Sequence, residues 1–218
     1  MGIFDFLRKK DSKQIFNSAT VVDRLEELGY FKYAAIEDIA EIKKEVETSL
    51  DEHFLSSTYF DDSPYNSKDY RHYHLDGEDL FEDGGFLWQL NTMKSLFKKM
   101  NFKLEISNHV EDWDKETGLN HSITLNNKNY IIFRNFNGYG WEEAAQRFAE
   151  IINDQLELQE KDERLFLANG GNDGRAVYLS EEQFLLLDPI LKDVRDRPLR
   201  IEDWCRVMQV DRNNYNKD

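Results

Sequence analysis

The twenty residues 164–183 read RLFLANGGNDGRAVYLSEEQ and decide the fold of this chain. Two short apolar runs, 164–168 and 175–179, flank a bend that contains three glycines. Ser180 and Gln183 then form the pattern of a helix capping box. Because a tight turn joins only antiparallel neighbours, this stretch predicts a β-hairpin followed directly by a helix.

Three further strands are predicted from alternating or β-rich apolar residues near 102–107, 121–125 and 130–134. Residues 126–129 read NNKN and predict a hairpin turn between the last two, because asparagine tolerates a positive φ. The strongest helical periodicity covers residues 141–157 and provides a face that can cover a sheet. We therefore predict an α+β fold, in which helices pack on one mainly antiparallel sheet of about five strands.

The length of 218 residues, with 40% hydrophobic and 13% aromatic residues, is typical of a globular chain. We predict an N-terminal segment at 1–19 and a single α+β domain at 20–218. Cys205 is the only cysteine, which excludes an internal disulfide and favours a cytoplasmic location. No apolar run is long enough for a transmembrane helix.

The N-terminal residues Met1–Lys10 read MGIFDFLRKK and place apolar side chains ahead of three basic ones. Such a segment can form a small amphipathic foot on an anionic membrane. One short turn buries little apolar area, so we predict at most weak peripheral membrane contact. The favoured interpretation is a helix edge that packs against the core, or a loose terminus.

The charge balance is strongly acidic, since 28 basic and 43 acidic residues give a net charge of −15. This excludes a general nucleic-acid binder, because phosphate binding needs a basic surface. Residues 56–85 are acidic and rich in tyrosine, and we predict a long loop there with a strand near 71–75 as the alternative. Carboxylates and tyrosines favour contact with a basic protein partner. The candidate residues for that contact are Tyr65, Tyr70, Tyr73, Asp76, Glu78 and Asp79.

The run His72-Tyr73-His74-Leu75-Asp76 places two imidazoles and a carboxylate at alternating positions, as a metal site on a strand can use. It partly resembles the H-x-H-x-D-H run of metallo-β-lactamase-fold hydrolases. Gly77 takes the place of the last histidine, and no βαβ pattern precedes the run. We therefore predict neither a metal site nor a cofactor.

Two loops at the ends of predicted strands are candidates for a small-molecule pocket. Residues 134–141 combine aromatic residues with glycines, and residues 169–175 form the glycine-rich bend. The candidate ligand-binding residues are Arg134, Tyr139, Trp141, Asn172, Asp173 and Arg175. A purely structural turn at each place is the alternative, because glycines supply the positive φ of a hairpin.

The sequence contains no recognisable catalytic set, which favours a non-enzymatic function. The leading hypothesis is a protein–protein interaction module that binds a basic partner, as an inhibitor or immunity-type protein would. The alternative hypothesis is a small-ligand-binding protein or an uncharacterised enzyme that uses the loops at 134–141 and 169–175.

Overall fold

The computed structural model describes residues 17–50, 54, 67–191 and 197–211. The helices in these ranges are α1 Ser18–Glu27, α2 Ile39–Ser49, α3 Gly77–Phe81, α4 Gly85–Thr92, α5 Lys94–Lys99, α6 Trp141–Leu158, α7 Glu181–Leu187 and α8 Ile201–Met208. The strands are β1 His72–His74, β2 Ile106–Asp114, β3 Gly118–Leu125, β4 Lys128–Phe136, β5 Glu163–Ala168 and β6 Arg175–Ser180. Two short 3-10 turns cover Tyr30–Tyr33 and Gly171–Asp173.

The α+β prediction is confirmed, but the described strands form two antiparallel sheets of three instead of one sheet of about five. The central sheet has the order β1-β6-β5, and the outer sheet has the order β2-β3-β4. β1 comes from the segment expected to be a loop, and it pairs with β6 from His72–Val177 to His74–Arg175. The expected strands at 102–134 form a separate meander, because each pairs only with its neighbour along the chain.

Both faces of the central sheet are buried. Leu165 and Tyr178 face a core that is shared with α6 and the outer sheet. Phe166 and Val177 face a second core made with α1, α2 and α7. Successive side chains of a strand point to opposite faces, so a strand buried on both sides must be apolar at nearly every position. This explains the continuous apolar runs at 164–168 and 175–179.

The outer sheet buries one face only. Leu119, Ile123 and Leu125 of β3 point into the shared core, His121 is buried on the same face, and Asn120, Ser122 and Thr124 are partly exposed. β2 is exposed at most of its positions. α6 packs against β4 and β5, so the helix predicted to cover a sheet lies against strands of both sheets.

Two of the expected segments have different boundaries in the structure. The expected strand at 102–107 is wrong over most of its length, since β2 begins at Ile106 and continues to Asp114. Part of the stretch 111–116, which has the composition of an acidic loop, therefore lies in a strand. In the segment 56–85, the described residues 67–85 contain β1 and α3 and the start of α4. The strand alternative at 71–75 is the one observed.

Local turn chemistry agrees with the sequence at two places. Asn126 and Asn127 adopt φ values of 47° and 66°, as a two-residue hairpin turn requires. The Ser180 side chain accepts from the Gln183 N–H and the Gln183 side chain from the Ser180 N–H, which confirms the capping box.

Among the described helices, none combines the length and the apolar character that crossing a membrane requires.

Candidate metal centre

Three donor atoms converge on the inner face of the outer sheet. His109 Nε2 lies 2.9 Å from His121 Nε2. Glu111 Oε1 lies 3.2 Å from His121 Nε2 and 3.7 Å from His109 Nε2. Two donors bound to a tetrahedral zinc ion at about 2.0–2.2 Å are about 3.3–3.6 Å apart. The observed separations of 2.9, 3.2 and 3.7 Å lie within about 0.4 Å of that range, so small shifts of the side chains would let the three atoms bind one such ion.

The β2–β3 hairpin creates this arrangement through its register. Glu111 is directly opposite His121, and His109 precedes Glu111 by two residues on the same face. The register follows from the turn between the strands, where Asp114 accepts hydrogen bonds from the N–H groups of Glu116 and Thr117. Gly118 closes the turn with a φ of 89°. Counting three residues outward from the Asp114–Gly118 pair gives Glu111 and His121.

Aromatic side chains surround the cluster on its inner side. The Phe86 ring contacts the His121 ring edge-on at 5.0 Å, and Phe133 lies 6.4 Å from the same ring. Phe81 packs between Trp113 and Phe133. The side chain of His121 is only 2% exposed, whereas that of His109 is 16% exposed. The cluster thus has an apolar floor and an opening at His109.

The protonation of the cluster favours metal binding by the imidazoles. Burial lowers the pKa of His121 to about 3, and His109 adds to the shift. Burial also lowers the pKa of His109. Both imidazoles are therefore neutral at pH 7, which is the form that binds metals. Burial, together with a hydrogen bond to the Asp83 side chain, raises the pKa of Glu111 to about 7.

The turn between α3 and α4 holds the carboxyl group of Glu111. The N–H of Gly84 donates to Glu111 Oε2 at 2.8 Å, which leaves Oε1 directed toward the histidines. Metal-binding carboxylates are commonly oriented by such a hydrogen bond on their second oxygen.

The structure separates the three residues of the His72–Asp76 run. His72 Nε2 lies 2.7 Å from the hydroxyl of buried Tyr30. His74 Nδ1 lies 2.6 Å from an Arg175 nitrogen. The Asp76 carboxylate caps α3 and accepts from the Glu78 and Asp79 N–H groups. Each member therefore has its own structural contact in the fold.

The residues predicted for partner contact are divided between core and surface. Tyr73 is 2% exposed and packs in the shared core, so it cannot reach a partner in this fold. Tyr70 is partly buried, with the ammonium group of Lys99 over its ring. Asp79 is exposed and Glu78 is half-buried, both in the first turn of α3. Tyr65 and Met1–Lys10 lie outside the described residues.

The residues predicted for ligand binding do not converge around one group. Tyr139 is 89% exposed, and Arg134 is also exposed on β4. Asn172 and Asp173 are exposed in the 3-10 turn. α3 contacts both this turn and α6, whose first residue is half-buried Trp141.

The space beneath the glycine-rich bend is occupied by side chains of α8. The indole N–H of Trp204 donates to the Asn169 carbonyl at 2.6 Å, and Met208 lies directly against Gly170. The bend therefore packs against α8.

A cleft of about 520 Å³ lies elsewhere, between α6, β5 and the first residues of α8. Its charged groups include Arg147, which pairs with Glu150 at 2.5 Å, and Arg164, which donates to neighbouring carbonyls. None of the predicted ligand-binding residues lines this cleft.

No protein-family model matches the chain, and neither the curated proteins nor the solved structures contain a significant match to it.

Proposed function

We propose that this protein binds a divalent first-row transition-metal ion, with zinc as the simplest candidate, through His109, Glu111 and His121. The observation that carries this proposal is the mutual spacing of 2.9, 3.2 and 3.7 Å among Nε2, Nε2 and Oε1. Two imidazoles and one carboxylate suit Zn²⁺, Fe²⁺ or Co²⁺, whereas Mg²⁺ and Ca²⁺ prefer oxygen donors alone.

The local environment supports the same function. Glu111 Oε2 already has a donor in Gly84 N–H, so the carboxylate is oriented before an ion enters. The apolar rings around His121 exclude water from one side of the site. A tetrahedral ion held by three side chains has one further position, which a water molecule, a substrate or another side chain can take.

The test is to titrate chelator-treated protein with Zn²⁺ and Co²⁺ by calorimetry. We expect about one ion per chain, with affinity falling at least about 100-fold in His109→Gln and in Glu111→Gln, because each removes one ligand. Glu111→Gln preserves the size of the side chain and an acceptor for the Gly84 N–H. His74→Gln is the matched control, because His74 is an exposed histidine outside the cluster.

Two results would contradict metal binding at this site. One is the absence of any saturable binding to the wild-type chain. The other is equal affinity in the wild type, His109→Gln and Glu111→Gln, which would place bound ions on other groups. If only His74→Gln reduced the affinity for the metal ion, the binding site would lie at β1 instead.

A basic protein partner is the second function that we propose, and the exposed side of β2 favours it. Val110 is 43% exposed and lies on the same face of β2 as exposed Asp112 and Asp114. Apolar and acidic groups on one edge strand suit a partner that has both apolar and basic groups.

We expect capture of a basic partner by the wild-type chain at low salt and its loss at high salt. Replacement of Asp112 by lysine should weaken capture strongly without lowering the melting temperature by more than a few degrees, since its side chain is exposed. Capture that is insensitive to both salt and charge reversal would contradict this function.

A further inference from the structure

The outer sheet has an open edge along β2. β2 is the first strand in the order β2-β3-β4, and among the described residues no strand pairs with its other side. At nine residues it is longer than a typical strand of about 5–6 residues, and its pairing with β3 is regular from Asn108 to Asp114. Alternate residues of an antiparallel edge strand direct their N–H and C=O groups away from the sheet. β2 therefore presents a regular row of backbone donors and acceptors to one further strand.

The two faces of β2 select different side chains on such a strand. On the outer face, Asp112 and Asp114 are exposed acidic residues. On the inner face, Trp113 is 53% exposed, although its ring packs on Phe81. Paired strands bring together the side chains that share a face, so a complementary strand places basic residues beside the aspartates and apolar residues beside Trp113. Its sequence therefore alternates basic and apolar residues.

The charges of β2 disfavour a second copy of this chain at the same edge. Two copies of β2 paired edge to edge would bring the acidic residues of both strands together, and like charges opposite each other are destabilising. The net charge of −15 on each chain adds to this repulsion. A basic strand is instead attracted both by the whole chain and by the residues that it would lie beside.

We propose that the partner supplies an extended segment of alternating basic and apolar residues, which joins the outer sheet as a fourth strand beside β2. This inference rests on the proposed basic-partner function and specifies how the partner is recognised. Hydrogen bonds to the β2 backbone hold the segment, its basic side chains lie beside Asp112 and Asp114, and its apolar side chains cover Trp113. Backbone pairing supplies the affinity, and the alternation of side chains supplies the selectivity.

Two synthetic peptides of alternating lysine and valine provide the test. One is unmodified, and the other is N-methylated at every residue, which keeps its charges but removes its backbone donors. We expect the unmodified peptide to bind in a salt-sensitive manner and to slow amide hydrogen exchange within Ile106–Asp114. The methylated peptide should bind at least about tenfold more weakly. Asp112→Lys should weaken binding of the unmodified peptide, whereas the matched control Glu47→Lys, which reverses an exposed charge on α2, should not.

The outcomes separate strand addition from the function on which it rests. Equal binding of the two peptides, with both weakened by Asp112→Lys, would overturn strand addition and leave a partner that is held by charge alone. Equal binding of the unmodified peptide by the wild type, Asp112→Lys and Glu47→Lys would place it on another surface and overturn both. No binding of either peptide at low salt would overturn strand addition. Dimerisation of the peptide-free chain that Asp112→Lys alters would identify a second copy as the occupant of the edge and also overturn the inference.

Discussion

The two sheets of this protein differ in how many of their faces are buried. In the central sheet the neighbouring residues Ala176 and Val177 are 1% and 0% exposed, although they point to opposite sides. In the outer sheet the neighbours Val110 and Glu111 differ, because Val110 is 43% exposed and the side chain of Glu111 only 7%. One sheet separates two cores, and the other separates a core from solvent.

The difference indicates where a binding site can form. A strand with both faces in a core has few positions for ionisable side chains that a solute can reach. The outer sheet has its candidate ligands at the margin of its buried face, where His109 is 16% exposed. That margin is also where the α3–α4 turn covers the sheet. The candidate metal centre thus lies between the fully buried and the fully exposed parts of the outer sheet.

The largest difference in the free energy of unfolding is expected when valine is replaced by alanine once in each sheet, in two separate variants. Val177→Ala removes two methyl groups from the second core, and it should lower the free energy of unfolding by about 2–3 kcal/mol. Val110→Ala makes the same chemical change on the exposed side of β2, and its cost should stay within about 0.5 kcal/mol. Urea denaturation monitored by circular dichroism measures both values.

Two results for the valine variants would contradict this comparison of the sheets. Equal losses for the two variants would mean that β2 is covered in solution, for example by a partner or another part of the chain. A loss below about 1 kcal/mol for Val177→Ala would contradict the second core on the far side of the central sheet.

The central hairpin could be predicted from sequence because its signals are local and agree with one another. The apolar runs, the glycine-rich bend and the Ser180–Gln183 capping box all lie within residues 164–183. Asn126 and Asn127 gave the same kind of signal for the β3–β4 turn. In each case a short stretch carries both the periodicity and the turn chemistry.

The division into two sheets could not be predicted, because β1 and β2, on which it depends, show only weak strand patterns in the sequence. β1 has only three residues, and its place beside β6 depends on pairing across about 100 residues of chain. β2 is an acidic edge strand with few buried side chains, so it lacks the apolar alternation by which strands are predicted. Its composition favoured a loop over part of its length.

The candidate metal centre was missed for the same reason. His109, Glu111 and His121 become a set only when β2 is recognised as a strand and paired with β3. The signal that could have shown this is the turn at Asp114–Gly118, where an aspartate precedes a glycine between two β-rich stretches. The histidines at 72 and 74 gave the stronger signal in the sequence, because only one residue separates them.

A smaller effect on the free energy of unfolding is expected from acid pH, and it compares a carboxylate of the central sheet with a carboxylate of α6 that pairs with the outer sheet. Glu163 of the central sheet is 3% exposed, lies 2.5 Å from Lys32 Nζ and accepts from the Tyr33 hydroxyl at 2.6 Å. Burial alone would raise the pKa of Glu163, but the contacts with Lys32 and Tyr33 outweigh it and lower the pKa below the ordinary 4.5. The carboxylate therefore stabilises the fold above pH 4.5, and this contribution is lost as the pH falls below that value.

Glu163→Gln should accordingly cost about 1–2 kcal/mol at pH 7, and the difference from the wild type should narrow below pH 4.5. Asp154, which pairs with Lys128 of the outer sheet, provides the comparison. Its pKa is also lowered, since the contacts with Lys128 and Tyr130 outweigh burial, but its side chain is 38% exposed and solvent screens the pair. Asp154→Asn should therefore change the pH dependence less than Glu163→Gln does. Urea denaturation at pH values from 7 to 3 measures both effects. A larger acid effect for Asp154→Asn than for Glu163→Gln would contradict the weaker role given to the solvent-screened pair of Asp154 and Lys128.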